Sequence, residues 1–597
     1  MPGNRGRGRG AGGRGGRGRG GRGRGGQGQG RGAANSVNQD GFKWKMEESD
    51  KENVDNTDIN FEENIREYFT GAISIDQHYE AQKNYRSLYL AALEILEKFN
   101  VQLSQNAKVR ALAAAWLRGD DGITEKFLLS ENRCGLVEVI KAISILDANR
   151  EIRAIKKKLK RLDMQKSKVK PKKMGRLKSK IENLEGIKTS KGSATSSVCN
   201  KVKRWVRTLS AEKLEFYALH FPSQPWRQLA DICHLNPNDF SSLPWFLPFC
   251  FGKPAPDDTL PWVCANLCAE NANDLLKEFV IPYSHIRRVK DVNLTNASKG
   301  RIAKHESLDQ VLWYYEELTC PEADAFIKTR IENGEEINLN IGKLLDRLLA
   351  IKMIREDVSM TNCEYEWCEE TETLSKRKRV PNKNKATFFP LLSSIVQEKM
   401  NGISLPLQSP ILVAGDKSGS MDIAIRTSTI IASILAAMSS AKFVLFDNKA
   451  HEVENVPTDI KSALDLAISV EADFSTSPAA ALYPFYQRNE IVKTIILITD
   501  EDENTKFKGF NFIDLYKKYA KKVFPARLVF VSFLPQHAEG KMVSALKKEK
   551  ISVLQFVFND TRPDLSKLDN LFGLLSLEGA NFEDMLKKRQ EELSKDI

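Results

Sequence analysis

Long apolar runs and cysteines are both scarce in this 597-residue sequence. The longest uncharged run that is fairly apolar, 427–441, has 15 residues, fewer than the roughly 18 that indicate a membrane helix. The first residues form no apolar stretch, so we expect no secretory signal. Nine cysteines, an odd number, are typical of reduced thiols. We therefore expect a cytoplasmic protein that can also be nuclear, with no membrane partner.

Acidic residues are absent from positions 1–39, which hold nine arginines. A second basic segment, 150–180, holds fifteen Lys and Arg against two acidic residues. Together these segments carry more positive charge than the whole chain, whose net charge is +12, so the remainder is acidic. Such segregation indicates a polyanionic partner and favours nucleic acid over a membrane surface.

The first 40 residues predict a disordered Arg-Gly tail. Positions 1–32 contain seventeen Gly, nine Arg and no aromatic residue, so this segment cannot bury enough surface to offset its backbone entropy. Guanidinium groups on a flexible chain can pair with phosphates and stack on bases. Arg14, Arg17 and Arg19 are therefore candidate RNA contacts, and a solubilising or targeting tail is the alternative. The polar, acidic residues 41–60 predict a linker.

Helical periodicity dominates residues 61–395. For example, Val109, Leu112, Ala113 and Trp116 follow the i, i+3, i+4, i+7 spacing of one helix face,. A long succession of amphipathic helices is typical of stacked helix pairs, so we expect a HEAT-like repeat region, without a fixed repeat period. Within it, the basic cluster 376–379 is either a nuclear import signal or a charged linker.

The basic segment predicts a helical hairpin over 150–185. Apolar residues recur with 3-4-3 spacing on both sides of Pro171, which interrupts a helix,. The cations outside this apolar seam repel one another unless an anion neutralises them. The candidate RNA contacts are the cations of both arms: Lys156, Lys157, Lys158, Lys160, Arg161, Lys172, Lys173 and Arg176. A solvated charged hairpin or a protein contact is the alternative.

Strand and helix patterns alternate in residues 400–597. Buried-type strands such as 443–446, 494–498 and 528–533 are separated by helical segments. This pattern predicts a doubly wound α/β unit, a parallel sheet covered by helices on both faces. In such sheets, ligands bind at the carboxyl ends of the strands.

Carboxylates and hydroxyls follow two of these strands. Asp416, Ser418 and Ser420 come directly after the first strand, and Asp500 ends another. An intervening loop supplies Ser475 and Thr476. Oxygen ligands of this kind suit Mg²⁺ or another divalent cation. The alternative is a metal-free loop.

This pattern resembles the metal-ion-dependent adhesion site of von Willebrand factor A domains, over about residues 405–597. Asp416, Ser418 and Ser420 match the family's DxSxS motif, and Asp500 matches its Asp loop. Where the family often has Gly-Gly-Thr, this chain has Phe-Ser-Thr at 474–476, so the hydroxyl ligand is Ser475 or Thr476.

A helical half followed by such a domain resembles the Ro ribonucleoprotein (TROVE-module) family, as a divergent member. The segment 226–237 is similar to that family's helix ending in a His-Leu-Lys-Pro type motif. The resemblance implies a HEAT-like ring that binds small structured RNAs outside and single-stranded RNA ends inside. It also makes His234 a candidate RNA contact, and a structural histidine is the alternative.

These observations predict a non-enzymatic RNA-binding ribonucleoprotein scaffold. Its basic helical region would hold structured or single-stranded RNA, and its metal site would dock an acidic protein partner. The alternative is a protein–protein adaptor whose von Willebrand A-like domain is the main functional unit and whose basic segments serve targeting. An enzyme acting on RNA has the least support, because no set of nucleophile, base and orienting residue can be assembled.

Overall fold

The computed structural model describes most of the chain after the linker. The described residues are 60–595, except 71–72, 100, 102, 129–133, 165–170, 222, 258, 359–364, 369–372, 377–378, 404, 406, 536–537, 562 and 580–581. All of them belong to one compact unit, Trp44–Ile597, and the other unit, Met1–Lys43, lies outside the described residues. The predicted Arg-Gly tail, with Arg14, Arg17 and Arg19, therefore lies outside them as well, as does the predicted linker except for Asn60.

Helices make up most of the described chain before residue 357. They are α1 (Ile65–Thr70), α2 (Ile75–Asn84), α3 (Arg86–Lys98), α4 (Gln105–Arg118), α5 (Asp121–Leu128), α6 (Leu136–Met164), α7 (Pro171–Ile187), α8 (Ser196–Arg207), α9 (Ala211–His220), α10 (Gln224–Cys233), α11 (Phe246–Cys250), α12 (Leu260–Ala265), α13 (Ala272–Glu278), α14 (Tyr283–Ile286), α15 (Asn296–His305), α16 (Leu308–Trp313), α17 (Tyr315–Leu318), α18 (Pro321–Glu332) and α19 (Ile341–Glu356). None of the described helices is both long and apolar enough to cross a membrane.

Local sequence signals set the ends of these helices. Ahead of α4, the hydroxyl of Ser104 accepts the N–H of Ala107 at 3.1 Å, and Gly119 ends the helix in the left-handed region with φ +70°,. The side chains of Val109 and Trp116, predicted to share one helix face, are buried in the core. The helical character of this part of the chain is therefore confirmed.

A short β-hairpin interrupts the helical region, where the sequence analysis predicts no strands. It pairs β1 (Tyr365–Cys368) with β2 (Thr373–Lys376) in antiparallel register. The basic cluster 376–379 begins at the last residue of β2, and two of its members, 377–378, lie outside the described residues.

The predicted α/β unit contains a six-stranded sheet. Its strands are β3 (Ile411–Asp416), β4 (Lys442–Phe446), β5 (Ala450–Glu452), β6 (Thr494–Thr499), β7 (Arg527–Leu534) and β8 (Val553–Asn559), in the spatial order β5-β4-β3-β6-β7-β8. Its helices are α20 (Phe389–Asn401), α21 (Ile425–Ser439), α22 (Ile460–Ser469), α23 (Pro478–Arg488), α24 (Phe512–Lys522), α25 (Lys541–Lys548), α26 (Leu568–Gly579) and α27 (Phe582–Lys595).

The sheet is buried on both faces, as a doubly wound fold requires. Side chains alternate along each strand: Val413 and Ile496 join the core that contains α21 and α22, whereas Leu412 and Ile495 join the core of α23 and α24. The fold class predicted from the sequence is therefore confirmed. One detail differs, since β5 pairs antiparallel with β4 at the edge of the sheet.

The last helices of the chain pack against the first ones. Leu586 of α27 belongs to the core of the amino-terminal helices, and Arg589 donates to the carboxylate of Glu94 on α3 at 2.6 Å. In α26, a Cβ on Gly573 would lie 2.5 Å from the carbonyl oxygen of Phe99, so only glycine permits this approach. The two ends of the described chain thus share one core.

Candidate metal site and basic hairpin

The two candidate carboxylates lie together at the carboxyl edge of the sheet. Asp416 ends β3, and Asp500 directly follows β6. These strands are parallel neighbours with Gly415 opposite Ile498. The sequence predicts that each carboxylate lies at the carboxyl end of a strand, and the structure places these two strand ends side by side.

Asp416 is buried and electrostatically coupled to Asp500. Its side chain is 1 % exposed and accepts hydrogen bonds from the Ser418 N–H at 2.9 Å and the Thr499 hydroxyl at 2.6 Å. Burial, together with the negative charge of Asp500, raises the pKa of Asp416 to about 7. A buried carboxylate beside a second carboxylate is unfavourable when both are ionised, and a bound cation relieves that cost.

The serines of the motif lie in a tight turn after β3. Residues Gly419–Met421 form a 3₁₀ helix that begins after Ser418. The hydroxyl oxygens of Ser418 and Ser420 are 3.2 Å apart. Ser418 is fully buried and Ser420 is exposed. The turn therefore places one hydroxyl inside the site and one at its solvent side.

Thr476 is the better-placed hydroxyl of the intervening loop. Its side-chain oxygen is buried and has no hydrogen-bond partner among the described residues, whereas Ser475 is half-buried. The Thr476 N–H donates to the Asn504 side chain at 2.9 Å, which ties the loop to the segment after Asp500. A buried hydroxyl without a partner is costly, and coordination of a cation would satisfy it.

Ser477 is a further hydroxyl-bearing residue of this loop, which the sequence motif does not single out. Its hydroxyl is also buried without a partner among the described residues, and its N–H donates to the Asp447 carbonyl at 2.9 Å. It therefore belongs to the neighbouring strand end at β4. No sequence signal separates Ser477 from Ser475 and Thr476, because the burial of each hydroxyl is set by the fold.

The donor set fits a hard divalent cation. Two carboxylates and the hydroxyls of serine and threonine are oxygen ligands of the kind that Mg²⁺ prefers. In the described part of the chain, no group of three or more His, Cys, Asp or Glu side chains is placed to hold a metal. Bound there, a cation would supply positive charge and an attachment point for an external carboxylate.

Lys417 lies within the DxSxS motif, but its ammonium group does not pair with Asp416. Its amine pairs with Asp447 at 3.1 Å, and His451 also reaches that carboxylate at 3.0 Å. The positive charge of Lys417 is therefore directed to the end of β4. Lys417 therefore balances the charge of the Asp447 carboxylate.

Glu501 anchors the loop that carries Asp500, a role that the sequence does not reveal. It is 1 % exposed with φ +61°. Its carboxylate accepts hydrogen bonds from the Ser532 hydroxyl at 2.5 Å, the Val543 N–H at 3.0 Å and the Gln555 amide at 2.7 Å. These donors belong to β7, α25 and β8, so one buried side chain connects three elements to the candidate site.

Replacing Gly540 with alanine is expected to destabilise this anchor. A Cβ at Gly540 would overlap both carboxylate oxygens of Glu501, which would have to leave its three donors. We expect a loss of about 3 kcal/mol of unfolding free energy, measured by urea denaturation. Gly175→Ala in α7 is the control, because its Cβ would meet nothing within 4 Å. Equal stability of the two variants would contradict the role of Glu501.

The basic segment forms the predicted helical hairpin. Helix α6 ends at Met164 and α7 begins at Pro171. Between the arms, Ile152, Ile155 and Leu184 are buried in a small core of their own. The candidate contacts are all exposed to solvent: Lys156, Lys157, Lys158, Lys160, Arg161, Lys172, Lys173 and Arg176.

The hairpin has far more cations than local carboxylates. Residues 150–164 and 171–187 contain twelve Lys and Arg against four Asp and Glu. Ion pairs cross between the arms at Lys156–Glu185, 2.8 Å, and Lys180–Glu151, 2.5 Å. Exposed pairs of this kind stabilise little, and most of the positive charge faces solvent.

His234 lies at the end of α10, a helix that follows the hairpin in the sequence. It caps that helix in the left-handed region with φ +53° and is exposed. Helix α10 packs on α6, since the Gln228 amide donates to the Ser144 hydroxyl at 2.8 Å. An exposed histidine is accessible to a ligand, and its role in RNA binding stays a prediction.

Comparison with solved structures finds a similar fold. No protein-family model matches the chain, and no curated protein matches it. A structural likeness is found at 12 % sequence identity and a TM-score of 0.42, values that assign neither residues nor function to this chain. The chain is similar, over 84 % of its length and 94 % of the other chain, to the crystal structure of the Ro (RSR) protein of Deinococcus radiodurans, a member of the family that the sequence resembles.

Proposed function

We propose that this protein is a non-enzymatic RNA-binding scaffold. The observation that carries the proposal is the hairpin α6–α7, whose arms present twelve Lys and Arg and little compensating charge. A helical hairpin of this kind stabilises itself poorly, because its cations repel one another. Phosphates placed along it would relieve that repulsion and release counterions, which favours binding.

The hairpin would hold RNA through its phosphates and not its bases. Residues 150–190 contain no Phe, Tyr, Trp or His, so this surface has no ring on which a base can stack. Phosphate contacts position a nucleic acid without reading its sequence. Small structured RNAs and single strands are both suitable ligands, and the exposed His234 and the Arg-Gly tail are further candidate contacts.

The metal site would serve as a docking point for an acidic protein partner. Asp416, Ser418, Ser420, Thr476 and Asp500 would hold Mg²⁺ or a similar cation. The cation would supply the charge that attracts a partner's carboxylate. The supporting observations are the coupling of the buried Asp416 to Asp500 and the unpartnered hydroxyl of Thr476.

A protein–protein adaptor is the second candidate. The observation that favours it is that buried groups such as Glu501 fix the loops of the candidate metal site. The cations of the hairpin, in contrast, are only exposed to solvent. In that case the basic segments would serve targeting, including nuclear import.

Ultraviolet crosslinking of the native protein in cells distinguishes the two. We expect RNA to copurify with the full chain and its yield to fall at least tenfold when the hairpin cations are replaced by glutamine. Protein that carries no RNA, and binds none when it is supplied, would reject the scaffold and leave the adaptor. Loss of partner capture in Asp416→Ala with unchanged RNA yield would show that the two functions are separable.

A further inference from the structure

The loop that carries Thr476 also exposes a phenylalanine. Phe474 is 61 % exposed, and its backbone lies in the left-handed region with φ +66°. A bulky residue rarely adopts this conformation. Both the strain and the exposed ring cost free energy, and neither contributes to the core. Positions of this kind concentrate at functional sites.

Two backbone hydrogen bonds hold Phe474 beside the DxSxS turn. The Asp473 N–H donates to the Lys417 carbonyl at 2.9 Å, and the Gly419 N–H donates to the Phe474 carbonyl at 3.0 Å. The loop therefore runs alongside the turn that carries Ser418 and Ser420. The backbone of Phe474 therefore lies beside the candidate metal site, and its ring is exposed.

A second apolar side chain is exposed at the same turn. Ile423 is 53 % exposed and lies three residues after Ser420, in the turn that precedes α21. The solvent side of the candidate site thus has an exposed hydroxyl, Ser420, with exposed apolar side chains on the segments around it.

The charged groups around this rim are mostly acidic. Asp422 and Asp473 belong to the same two loops as Ile423 and Phe474, and Asp502 follows Asp500. Asp502 is paired with Lys541 at 2.6 Å. A nucleic acid would bring several phosphates towards these carboxylates. A peptide with a single carboxylate brings one negative charge to the cation, and apolar neighbours bring none.

We infer that Phe474 and Ile423 form an apolar rim that selects the docked partner, a protein segment in which an Asp or Glu is flanked by apolar side chains. This inference rests on the proposed docking function. The carboxylate would reach the cation held at Asp416, while its neighbours cover the two exposed side chains. Removal of that apolar surface from water would add to the affinity.

Two labelled peptides test the rim on the full-length protein. The probes are fluorescein-labelled Gly-Gly-Leu-Asp-Leu-Gly-Gly and Gly-Gly-Ser-Asp-Ser-Gly-Gly, which have the same charge, titrated in Mg²⁺ or EDTA and followed by fluorescence anisotropy. We expect the leucine peptide to bind at least tenfold more tightly than the serine peptide, and EDTA to abolish both interactions.

Variants separate the rim from the cation. Phe474→Gly removes the ring and suits the left-handed backbone, and Ile423→Ser removes the other apolar side chain. We expect each variant to lower the affinity for the leucine peptide towards that of the serine peptide, with unchanged thermal stabilisation by Mg²⁺. Ile491→Ser is the matched control, since Ile491 is 49 % exposed but precedes β6, at the opposite end of the strand.

Three results would overturn the inference, and each rejects a different part of it. Equal affinity for the two peptides would reject the rim and leave metal-dependent docking intact. The absence of Mg²⁺-dependent binding of either peptide would reject docking and the rim together. Tighter binding of a decauridylate probe that is lost in Phe474→Gly would assign the ring to RNA.

Discussion

Charge reversal of the hairpin is expected to weaken RNA binding by about 100-fold. In the triple variant Lys157→Glu, Lys160→Glu and Arg161→Glu, three phosphate contacts at about 1 kcal/mol each are lost. The three side chains are exposed on α6, so their replacement leaves the apolar seam of the hairpin intact. It also reduces the repulsion among the remaining cations, and the circular dichroism spectrum should not change.

The salt dependence of binding tests the mechanism and not only the affinity. Each phosphate contact contributes about 0.7–0.9 to the slope of log affinity against log salt concentration, so the triple variant should have a slope lower by about 2–3. Fluorescence anisotropy with a labelled RNA hairpin at several KCl concentrations measures both quantities.

A second triple variant controls for net charge. Lys547→Glu, Lys548→Glu and Lys587→Glu change the total charge equally, and these exposed lysines lie on α25 and α27. We expect its affinity to fall less than threefold. A loss of affinity as large as that of the hairpin variant would mean that only the overall charge matters, which contradicts a local phosphate site.

Asp416→Asn is expected to abolish stabilisation by Mg²⁺. The substitution keeps the shape of the side chain, removes the repulsion with Asp500 and removes a charged ligand. At a cation concentration 100 times the dissociation constant, binding stabilises the folded state by about 2.7 kcal/mol, and the variant should lose this gain. Differential scanning calorimetry with and without Mg²⁺ measures it, with the metal-free variant at least as stable as the metal-free parent at pH 8.

The pH dependence follows from the raised pKa of Asp416. Because burial and Asp500 raise this pKa from 3.8 to about 7, the folded state keeps a proton that the unfolded state releases. The metal-free protein therefore loses stability as pH rises from about 4 to 7. Mg²⁺ must displace that proton, so its stabilising effect should be larger at pH 8 than at pH 5.5.

Asp447→Asn is the matched control for the cation site. Asp447 is a buried carboxylate at the end of β4; Lys417 balances its charge, and His451 is hydrogen-bonded to it. We expect this variant to be less stable but to keep the full increment from Mg²⁺. If Asp416→Asn kept that increment as well, Asp416 would not be a ligand, and metal-dependent docking would have to be abandoned.

Local patterns were sufficient for much of the fold. The spacing of Val109, Leu112 and Trp116 fixes one face of α4, because helix geometry is a property of neighbouring residues. The apolar strands that precede Asp416 and Asp500 are buried on both faces, and parallel strands place their carboxyl ends at one edge. That both carboxylates lie at this edge therefore follows from the sequence, whereas the pairing of β3 with β6 does not.

Other features depended on contacts between distant segments. The antiparallel edge strand β5 is three residues long, too short for an alternating pattern to predict. Ser475 and Thr476 both carry a hydroxyl that could bind a cation, and only the packing of their loop buries the hydroxyl of Thr476. In the sequence, Glu501 is one of several acidic residues after Asp500. Its anchoring role depends on hydrogen-bond donors from β7 and β8, which meet it only in the folded chain.

By itself, the sequence determined where charge and periodicity lie: a basic hairpin, a helical region, buried strands and oxygen ligands at their ends. Those properties belong to residues that are close along the chain. The tertiary structure decided which hydroxyl is buried, how Glu501 is held, that Phe474 faces solvent beside Gly419, and that α27 packs on α3. Each of these depends on segments that meet only when the chain folds, since burial and hydrogen-bond partners are set by packing and not by residue type.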